Sequence, residues 1–157
     1  MMETLSLSNP VFATYAIAAS LMVLKIVMQG WVTVARMIGN DAGLLNPEDL
    51  KPGPANRNPR PEQLALNPDV DRSRRIQRND LENIPGFLAI GLIFVLINPP
   101  LAAARWLMYG FVAARLAHTI AYSTAQRHEL RAVFYSVASL IVIALAVWVL
   151  IAALGGH

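Results

Sequence analysis

The chain has 157 residues, of which 55% are hydrophobic and 15% charged, and its net charge is +3. It contains no cysteine, which excludes disulfides, thiolate metal ligands and a thiol nucleophile supplied by the protein. Nucleic acid is not expected as a partner, because its binding needs a solvated basic face and this chain has little soluble surface. With a mean hydropathy of +0.45, the composition predicts a single integral membrane domain over residues 1–157.

The first apolar segment covers residues 11–38, which is more than the roughly 20 residues that a helix needs to cross a membrane. It follows the dipeptide Asn9-Pro10, a cap residue with proline at the first helical position. Residues 39–68 contain proline and glycine at a density that excludes a helix. This stretch is predicted to be a long polar loop, and loops of such length usually have a function or are disordered.

The second segment covers residues 69–97 and begins after Asn67-Pro68, again a typical helix start. Its first half is charged, and its apolar second half is too short to span a membrane alone. We therefore expect one long helix, partly within the membrane and partly projecting beyond it. Pro85 is a candidate position for a kink.

The third and fourth segments cover residues 101–123 and 131–154, after the uncharged turn Asn98-Pro99-Pro100. Four spans predict an all-α transmembrane four-helix bundle with both termini on one side. Lys and Arg concentrate in the 39–68 loop, at the start of the second segment and in the link after the third. The positive-inside rule then places these loops in the cytoplasm and both termini outside.

Four polar residues of the second segment share one helical face, because Arg75, Arg78, Asn79 and Glu82 are spaced i, i+3, i+4 and i+7. Arginines bind carboxylates in a fork geometry and a glutamate binds an ammonium, so this face fits a small zwitterionic ligand. The structural alternative is a charged helix end whose side chains reach the interface and pair with one another.

Ionisable and aromatic residues also share faces of the last two segments, as Arg115, His118 and Tyr122 do, and then Arg131 and Tyr135. The tyrosines could equally form an interfacial aromatic belt. His118 could form a hydrogen bond between helices. A metal site is not expected, because no second histidine lies on the same face and cysteine is absent.

Lys25 lies in the middle of the first span, where a charged side chain costs about 2.5–3.5 kcal/mol on insertion scales. An unpaired lysine at that depth is unfavourable, so it should have an acidic partner inside the bundle. Asp80 and Glu82 of the second segment are the candidates. This interpretation is structural rather than catalytic.

Three strings of the sequence resemble the family of membrane-associated proteins in eicosanoid and glutathione metabolism, the MAPEG family. They are Asn46-Pro47-Glu48-Asp49, the stretch 69–83 with its Arg-Asn-Asp-Leu-Glu-Asn, and the stretch 114–122 with its His-Thr-Ile-Ala-Tyr. The resemblance extends over residues 11–150. It implies a four-helix subunit, a homotrimer, and three glutathione sites at subunit interfaces on the cytoplasmic side.

The resemblance also implies a set of site residues. Arg131 matches the arginine that stabilises the glutathione thiolate, which is the reactive form of the thiol and is favoured by a neighbouring cation. The residues that match glutathione-binding positions are Arg36, Arg74, Arg75, Arg78, Asn79, Glu82, His118, Tyr122 and Tyr135. Arg36 is carried over although its spacing differs by one residue from the family pattern.

The residue after Arg131 bears on the reaction. The prostaglandin synthase branch has a serine there, to which thiol activation is assigned, whereas this chain has Ala132 and resembles the glutathione transferase branch. We therefore expect a glutathione transferase, with glutathione peroxidase capacity, acting on lipophilic electrophiles from the surrounding membrane lipid.

A glutathione-dependent endoperoxide isomerase stays open as an alternative function, since Asp49 and Arg131 are retained. So does a non-catalytic membrane scaffold, whereas a transporter is disfavoured because the polar residues lie at one end rather than at mid-depth.

Overall fold

A computed structural model describes residues 4–155 and contains four α-helices and no strand in that part of the chain. They are α1 (Pro10–Asn40), α2 (Pro68–Leu96), α3 (Leu101–Ser123) and α4 (His128–Leu154). Helices α2 and α3 lie between α1 and α4, and each of them packs against both. The prediction of an all-helical chain with four helices is confirmed. The predicted orientation, with both termini outside, stays a prediction, and residues 1–3 and 156–157 lie outside the described part of the chain.

The two Asn-Pro helix starts form as predicted. The Oδ1 atom of Asn9 accepts a hydrogen bond from the backbone N–H of Val11 at 2.9 Å. Asn67 Oδ1 likewise accepts from the N–H of Asp69 at 3.0 Å. Each asparagine satisfies donors that have no partner within the helix. Helix α4 begins at His128 rather than at residue 131.

Three stretches of the described chain are long and apolar enough to cross a membrane. They are α1, the stretch Pro61–Leu96 that contains α2, and α4. Helix α3 does not reach this level, because Arg105 and Arg115 lower the hydropathy of its 23 residues. The prediction of four spans is therefore supported for three helices by length and composition.

Close packing at aromatic and glycine positions holds the helices together. The rings of Phe87 and Phe111 are stacked, with centroids 4.0 Å apart, and join α2 to α3. At Gly91 the ring of Tyr15 comes so close that a Cβ atom would lie 3.0 Å from its Cε2. The Tyr15 hydroxyl donates to the carbonyl of Leu88 at 2.8 Å. Helices α1 and α2 therefore meet at a position that favours a residue without a side chain.

A buried polar cluster joins α1 to α2 further along. Gln29 Nε2 donates to Ser73 Oγ at 2.8 Å, and the hydroxyls of Thr33 and Ser73 lie 2.8 Å apart. All three residues are buried. Such hydrogen bonds between helices are a common means of association in membranes.

The loop between α1 and α2 is folded. It contains two single turns of 3₁₀ helix, Pro47–Leu50 and Pro61–Leu64, each of which starts at a proline. The two halves of the loop meet where the N–H of Leu44 donates to the carbonyl of Gln63 at 2.9 Å. The prediction that residues 39–68 exclude any helix is therefore wrong at these two turns, because a proline is tolerated in the first turn of a helix.

Candidate functional site

A cavity of about 310 Å³ lies where the middle of α2, the end of α3 and the start of α4 meet. This volume is at the lower end of the roughly 300–1,000 Å³ typical of small-molecule sites. It is lined by Asn79, His118, Tyr122, His128, Arg131, Ala132, Tyr135 and Ser136. Five of the ten predicted site residues therefore come together here, from three helices.

Arg131 is the cation of this cavity. Its guanidinium carbon lies 4.5 Å from the centroid of the Tyr122 ring, which is within cation–π range. Its Nε atom is buried and has no hydrogen-bond partner among residues 4–155. The arginine is therefore held by an aromatic face rather than by a carboxylate, and its charge stays available to an anion in the cavity.

His118 forms part of the inner wall. The residue is only 1% exposed, and its ring centroid lies 5.3 Å from that of Tyr122 and 6.1 Å from that of Tyr135. Within the described part of the chain, its Nδ1 atom has no hydrogen-bond partner. The alternative interpretation of His118 as a hydrogen bond between helices therefore gains no support at this nitrogen.

A carboxylate lies beside the cavity, bonded to one of its lining residues. Tyr135 Oη donates a hydrogen bond of 3.0 Å to Glu82 Oε2, which joins α4 to α2. One turn further along α4, Ser139 Oγ donates to Asn83 Oδ1 at 2.7 Å. Glu82 is exposed and keeps acceptor capacity beyond the tyrosine bond. The two hydrogen bonds fix the register of α4 on α2 and place an acid beside the cavity.

A buried ion triad lies deeper in the bundle. The carboxylate of Asp80 pairs with the ammonium of Lys25 on one oxygen, and with Arg115 Nη2 on the other at 2.5 Å. The side chains are 8% exposed for Lys25 and 0% for the other two. The prediction that Lys25 has an acidic partner inside the bundle is confirmed, and the acid is Asp80.

Two predicted binding arginines do not line the cavity and instead bond backbone carbonyl groups near the two ends of the loop between α1 and α2. Arg36 Nη1 donates to the carbonyl oxygen of Asp69 at 3.0 Å. Arg74 Nη2 donates to the carbonyl oxygen of Gly43 at 2.5 Å. Gly43 has a φ of 80°, a conformation that glycine adopts readily. Arg36 thus joins α1 to the start of α2, and Arg74 holds the beginning of the loop against α2.

The remaining predicted arginines of α2 lie on its outer face. Arg75 forms an ion pair with Asp71 one turn earlier, and Arg78 is exposed. Arg78 and Glu82, both exposed, flank the cavity residue Asn79. The polar face predicted from spacing is therefore present on α2, with Asn79 inside the cavity and the charged members outside it.

Besides Ala132, which the sequence analysis considered only for its lack of a hydroxyl, two cavity residues were not among those predicted from the sequence, namely His128 and Ser136. His128 precedes Arg131 by three residues and Ser136 follows Ala132 by four, so both lie on the cavity face of α4. This helical spacing was the available signal. It was missed for His128 because the predicted helix began only at residue 131.

The arrangement suits an anion that has an amine nearby. An anionic group in the cavity would meet the Arg131 guanidinium, with the Tyr122 and Tyr135 hydroxyls and the His118 ring around it. An ammonium at the rim would meet the Glu82 carboxylate. Charges act strongly here because the surrounding protein and membrane have a low dielectric constant.

The sequence of the chain is similar to that of one known protein family. The sequence model of the MAPEG family matches residues 14–151. Prostaglandin E synthase of Homo sapiens is 31% identical over 138 residues, which cover 88% of this chain and 87% of that protein. Microsomal glutathione S-transferase 1 of Sus scrofa is 36% identical over 118 residues, 75% of either chain. Its Homo sapiens counterpart is 33% identical over 131 residues, 83% of either chain.

Proposed function

The chain belongs to the MAPEG family, and on that premise we propose that it is a membrane-bound glutathione transferase with glutathione peroxidase capacity. The glutathione thiolate would attack an electrophilic carbon of a lipophilic substrate, form a C–S bond and displace a leaving group such as chloride. With a lipid hydroperoxide, the thiolate would attack the O–O bond and release an alcohol. A second glutathione would then convert the resulting sulfenic acid to a disulfide and water.

The observation that carries this proposal is the environment of Arg131. Its guanidinium lies over the Tyr122 ring, it lines the cavity, and its Nε has no partner among the described residues. A thiolate beside it gains an opposite charge in a low-dielectric site, which lowers the pKa of the thiol. The proposed catalytic residue is therefore Arg131.

Glutathione carries two carboxylates and one ammonium, which the polar face of α2 matches. We assign the ammonium to Glu82 and the carboxylates to the arginines Arg75 and Arg78, because guanidinium groups bind carboxylates through two hydrogen bonds. Asn79 and the aromatic residues His118, Tyr122 and Tyr135 complete the proposed binding set. Arg36 and Arg74 belong to it only in an assembly in which the loop end of one subunit faces the cavity of another.

A homotrimer forms part of the same proposal. Arg78 and Glu82 are exposed on one subunit, close to the apolar half of α2. Charged side chains facing lipid are unfavourable, whereas a second copy of the chain would cover this face. The number of three comes from the family resemblance. Native mass spectrometry of the detergent-solubilised protein measures it directly.

The proposed electrophile reaches the site from the bilayer. Large apolar side chains on the outer faces of the helices are exposed, among them Leu24, Trp31 and Leu140. The surface that surrounds the subunit is therefore compatible with membrane lipid and with lipophilic substrates dissolved in it. We propose that the cavity opens on the cytoplasmic side, where glutathione is available, as the distribution of Lys and Arg predicts.

The test is stopped-flow ultraviolet absorbance of the thiolate, recorded on mixing the solubilised protein with glutathione. We expect a thiolate signal from the wild type and its loss in Arg131→Ala. The matched control is Arg127→Ala, which removes an exposed arginine at the same end of α4. Turnover is then measured with a chlorodinitrobenzene and with a lipid hydroperoxide.

The thiolate signals of the wild type and the two variants distinguish the alternatives. A flat wild-type trace would contradict the proposal and leave a non-catalytic membrane scaffold or a different ligand. A signal that survives in Arg131→Ala would keep glutathione activation and reject the residue. Loss of the signal in Arg127→Ala as well would attribute the effect to general positive charge at this end of the protein.

A glutathione-dependent endoperoxide isomerase is the second candidate. It is favoured by the relative named prostaglandin E synthase, whose match covers 88% of this chain. Against it, the residue that follows Arg131 in the cavity wall is Ala132, whose side chain is a methyl group without a hydroxyl. Supplying a prostaglandin endoperoxide with glutathione and analysing the product distinguishes the two functions. Isomerised product at a rate above that of conjugate formation would replace the transferase by the isomerase.

A further inference from the structure

The buried triad of Lys25, Asp80 and Arg115 is not electrically neutral. Two cations share one carboxylate, so the triad carries one positive charge in excess when all three groups are ionised. Asp80 and Arg115 are fully buried and Lys25 nearly so. An excess charge in such surroundings is unfavourable unless another group compensates it.

The excess charge is directed toward the cavity. The guanidinium carbon of Arg115 lies 6.0 Å from the centroid of the Tyr135 ring, which lines the cavity. His118 follows Arg115 by one helical turn on the same face of α3 and lines the cavity as well. The triad therefore lies beneath the cavity and within electrostatic reach of its wall.

Arg115 is only partly engaged by Asp80. Its Nη2 atom bonds the carboxylate, whereas its Nε and Nη1 atoms are buried and have no hydrogen-bond partner among residues 4–155. A fully paired guanidinium would have its charge offset by its acceptors. The second cation, Lys25, draws on the other oxygen of the same carboxylate. Arg115 is thus left with an incompletely compensated charge on the cavity side of the triad.

We propose that the excess positive charge of this triad acts from beneath the site to stabilise the glutathione thiolate, and that Lys25 is the residue that supplies it. This inference rests on the proposed glutathione transferase function. Lys25 makes no contact with the cavity and acts through Asp80, so it is a positioning residue. The bound thiolate is the group that compensates the triad.

Charged and titratable groups of all four helices lie in the cavity wall, beside the cavity or in the triad. They are Lys25 on α1, Arg78, Asp80 and Glu82 on α2, Arg115, His118 and Tyr122 on α3, and His128, Arg131 and Tyr135 on α4. Replacing Lys25 by methionine leaves Arg115 and Asp80 as a neutral pair and changes none of the other groups. The substitution therefore isolates one charge.

The experiment measures the thiol pKa of bound glutathione from thiolate absorbance as a function of pH, at saturating glutathione. In Lys25→Met we expect a pKa higher by about one unit, which corresponds to a roughly ten-fold smaller thiolate-to-thiol ratio at a given pH. Lys25→Arg keeps the charge and should keep the wild-type pKa. The matched control is Gln29→Met, which removes a buried polar side chain one turn along α1 without changing charge.

A second variant separates charge from structure. Lys25→Met combined with Asp80→Asn removes one cation and one anion and leaves Arg115 as the single excess charge. If the net charge of the triad is what matters, the thiol pKa should return toward the wild-type value in this double variant. If the triad has a purely structural role, the thiol pKa of the double variant should lie further from the wild-type value than that of Lys25→Met alone, and that result would overturn the proposal.

Failure of this inference can be told apart from failure of the proposed function. A wild-type protein that forms no thiolate overturns both, because the triad then has no thiolate to stabilise. A wild-type protein that forms it, with an unchanged pKa in Lys25→Met, overturns the role of Lys25 and leaves the transferase in place. If Lys25→Met does not fold, the double variant still decides: a wild-type pKa supports the proposal and a raised one overturns it.

Discussion

The guanidinium of Arg131, on the first turn of α4, lies 4.5 Å from the centroid of the Tyr122 ring on the last turn of α3. The chain passes from α3 to α4 through a short link of residues 124–127, and this contact joins the two helix ends that flank the link. The ring face offers the arginine a favourable electrostatic partner that does not neutralise its charge. Arg131 is thereby held in place and remains able to attract an anion.

The first prediction concerns the Tyr122 ring. Tyr122→Ala removes the ring face and should lower kcat/KM for a chlorodinitrobenzene by about 3–30-fold, the equivalent of roughly 0.6–2 kcal/mol. Tyr122→Phe keeps the ring and should retain most of the activity. Tyr109→Ala, which removes an exposed tyrosine nearer the other end of α3, is the control. Equal losses in Phe and Ala variants would show that the hydroxyl, and not the ring face, is what matters.

The second prediction concerns Glu82, which accepts a hydrogen bond from Tyr135 beside the cavity. Glu82→Gln should raise the KM for glutathione by roughly 10–100-fold, as expected for losing a charge-assisted hydrogen bond of about 1.5–3 kcal/mol. The effect on kcat should be small, because the thiol is not involved. Initial rates at varied glutathione concentrations measure both constants.

The specificity of this contact is tested with a glutathione analogue that lacks the amino group. The wild type should bind the analogue much more weakly than glutathione, whereas Glu82→Gln should bind the two alike. Glu129→Gln, in the first turn of α4, is the control. An undiminished preference for glutathione in Glu82→Gln would remove Glu82 from the ammonium site.

The helix starts and one buried ion pair could be predicted from the sequence, because the chemistry of a few residues determines them. Asn9 and Asn67 cap their helices, since an asparagine before a proline satisfies the first free N–H groups whatever the rest of the fold does. The pair of Lys25 and Asp80 was predictable for a related reason. An ammonium at mid-membrane depth needs a carboxylate, and few were available at that depth.

The missed features depend on tertiary geometry. The contact between Arg74 and the carbonyl of Gly43 requires the loop to turn back over α2, which no local pattern specifies. His128 enters the cavity because α4 starts one turn earlier than the hydrophobic pattern indicates. Arg115 appeared from spacing to belong to the cavity face, whereas Asp80 holds it below the cavity. Helical spacing gives the face of a residue but not its depth or its partner.

The third prediction concerns the loop contact of Arg74. Arg74→Leu removes the hydrogen bond to the Gly43 carbonyl, so the loop should open more often and be cut faster by trypsin. Lys51 and Arg60 are each followed by proline, so the cut is expected at the Arg57–Asn58 bond. Mass spectrometry of the fragments over time gives the rate.

The control for the loop is Arg75→Leu. It removes a trypsin site from the same helix, but its partner is Asp71 of α2 and not the loop. Its rate of cleavage at Arg57 should equal that of the wild type. A similar acceleration in both variants would indicate that α2 itself is loosened, and an unchanged rate in Arg74→Leu would mean that other contacts hold the loop.

The fourth prediction compares two ligands. The comparison separates the stabilisation that the thiolate gives the protein from the stabilisation that the carboxylates and the ammonium give. Glutathione should raise the thermal unfolding midpoint of the solubilised protein, since a ligand at 100 times its Kd stabilises by about 2.7 kcal/mol. S-methylglutathione keeps the carboxylates and the ammonium but cannot form a thiolate. It should therefore stabilise the wild type less than glutathione does at equal concentration.

The difference between the two ligands should depend on pH and on Arg131. A bound thiol whose pKa is lowered gains its extra stabilisation fully above the pKa of the free thiol, and loses it as the pH falls through the pKa of the bound thiol. In Arg131→Ala the difference between the two ligands should become much smaller at every pH, because the thiolate keeps only the weaker contribution of the triad beneath the cavity. A pH-dependent difference as large as that of the wild type would show that Arg131 is not the main positive group that stabilises the thiolate.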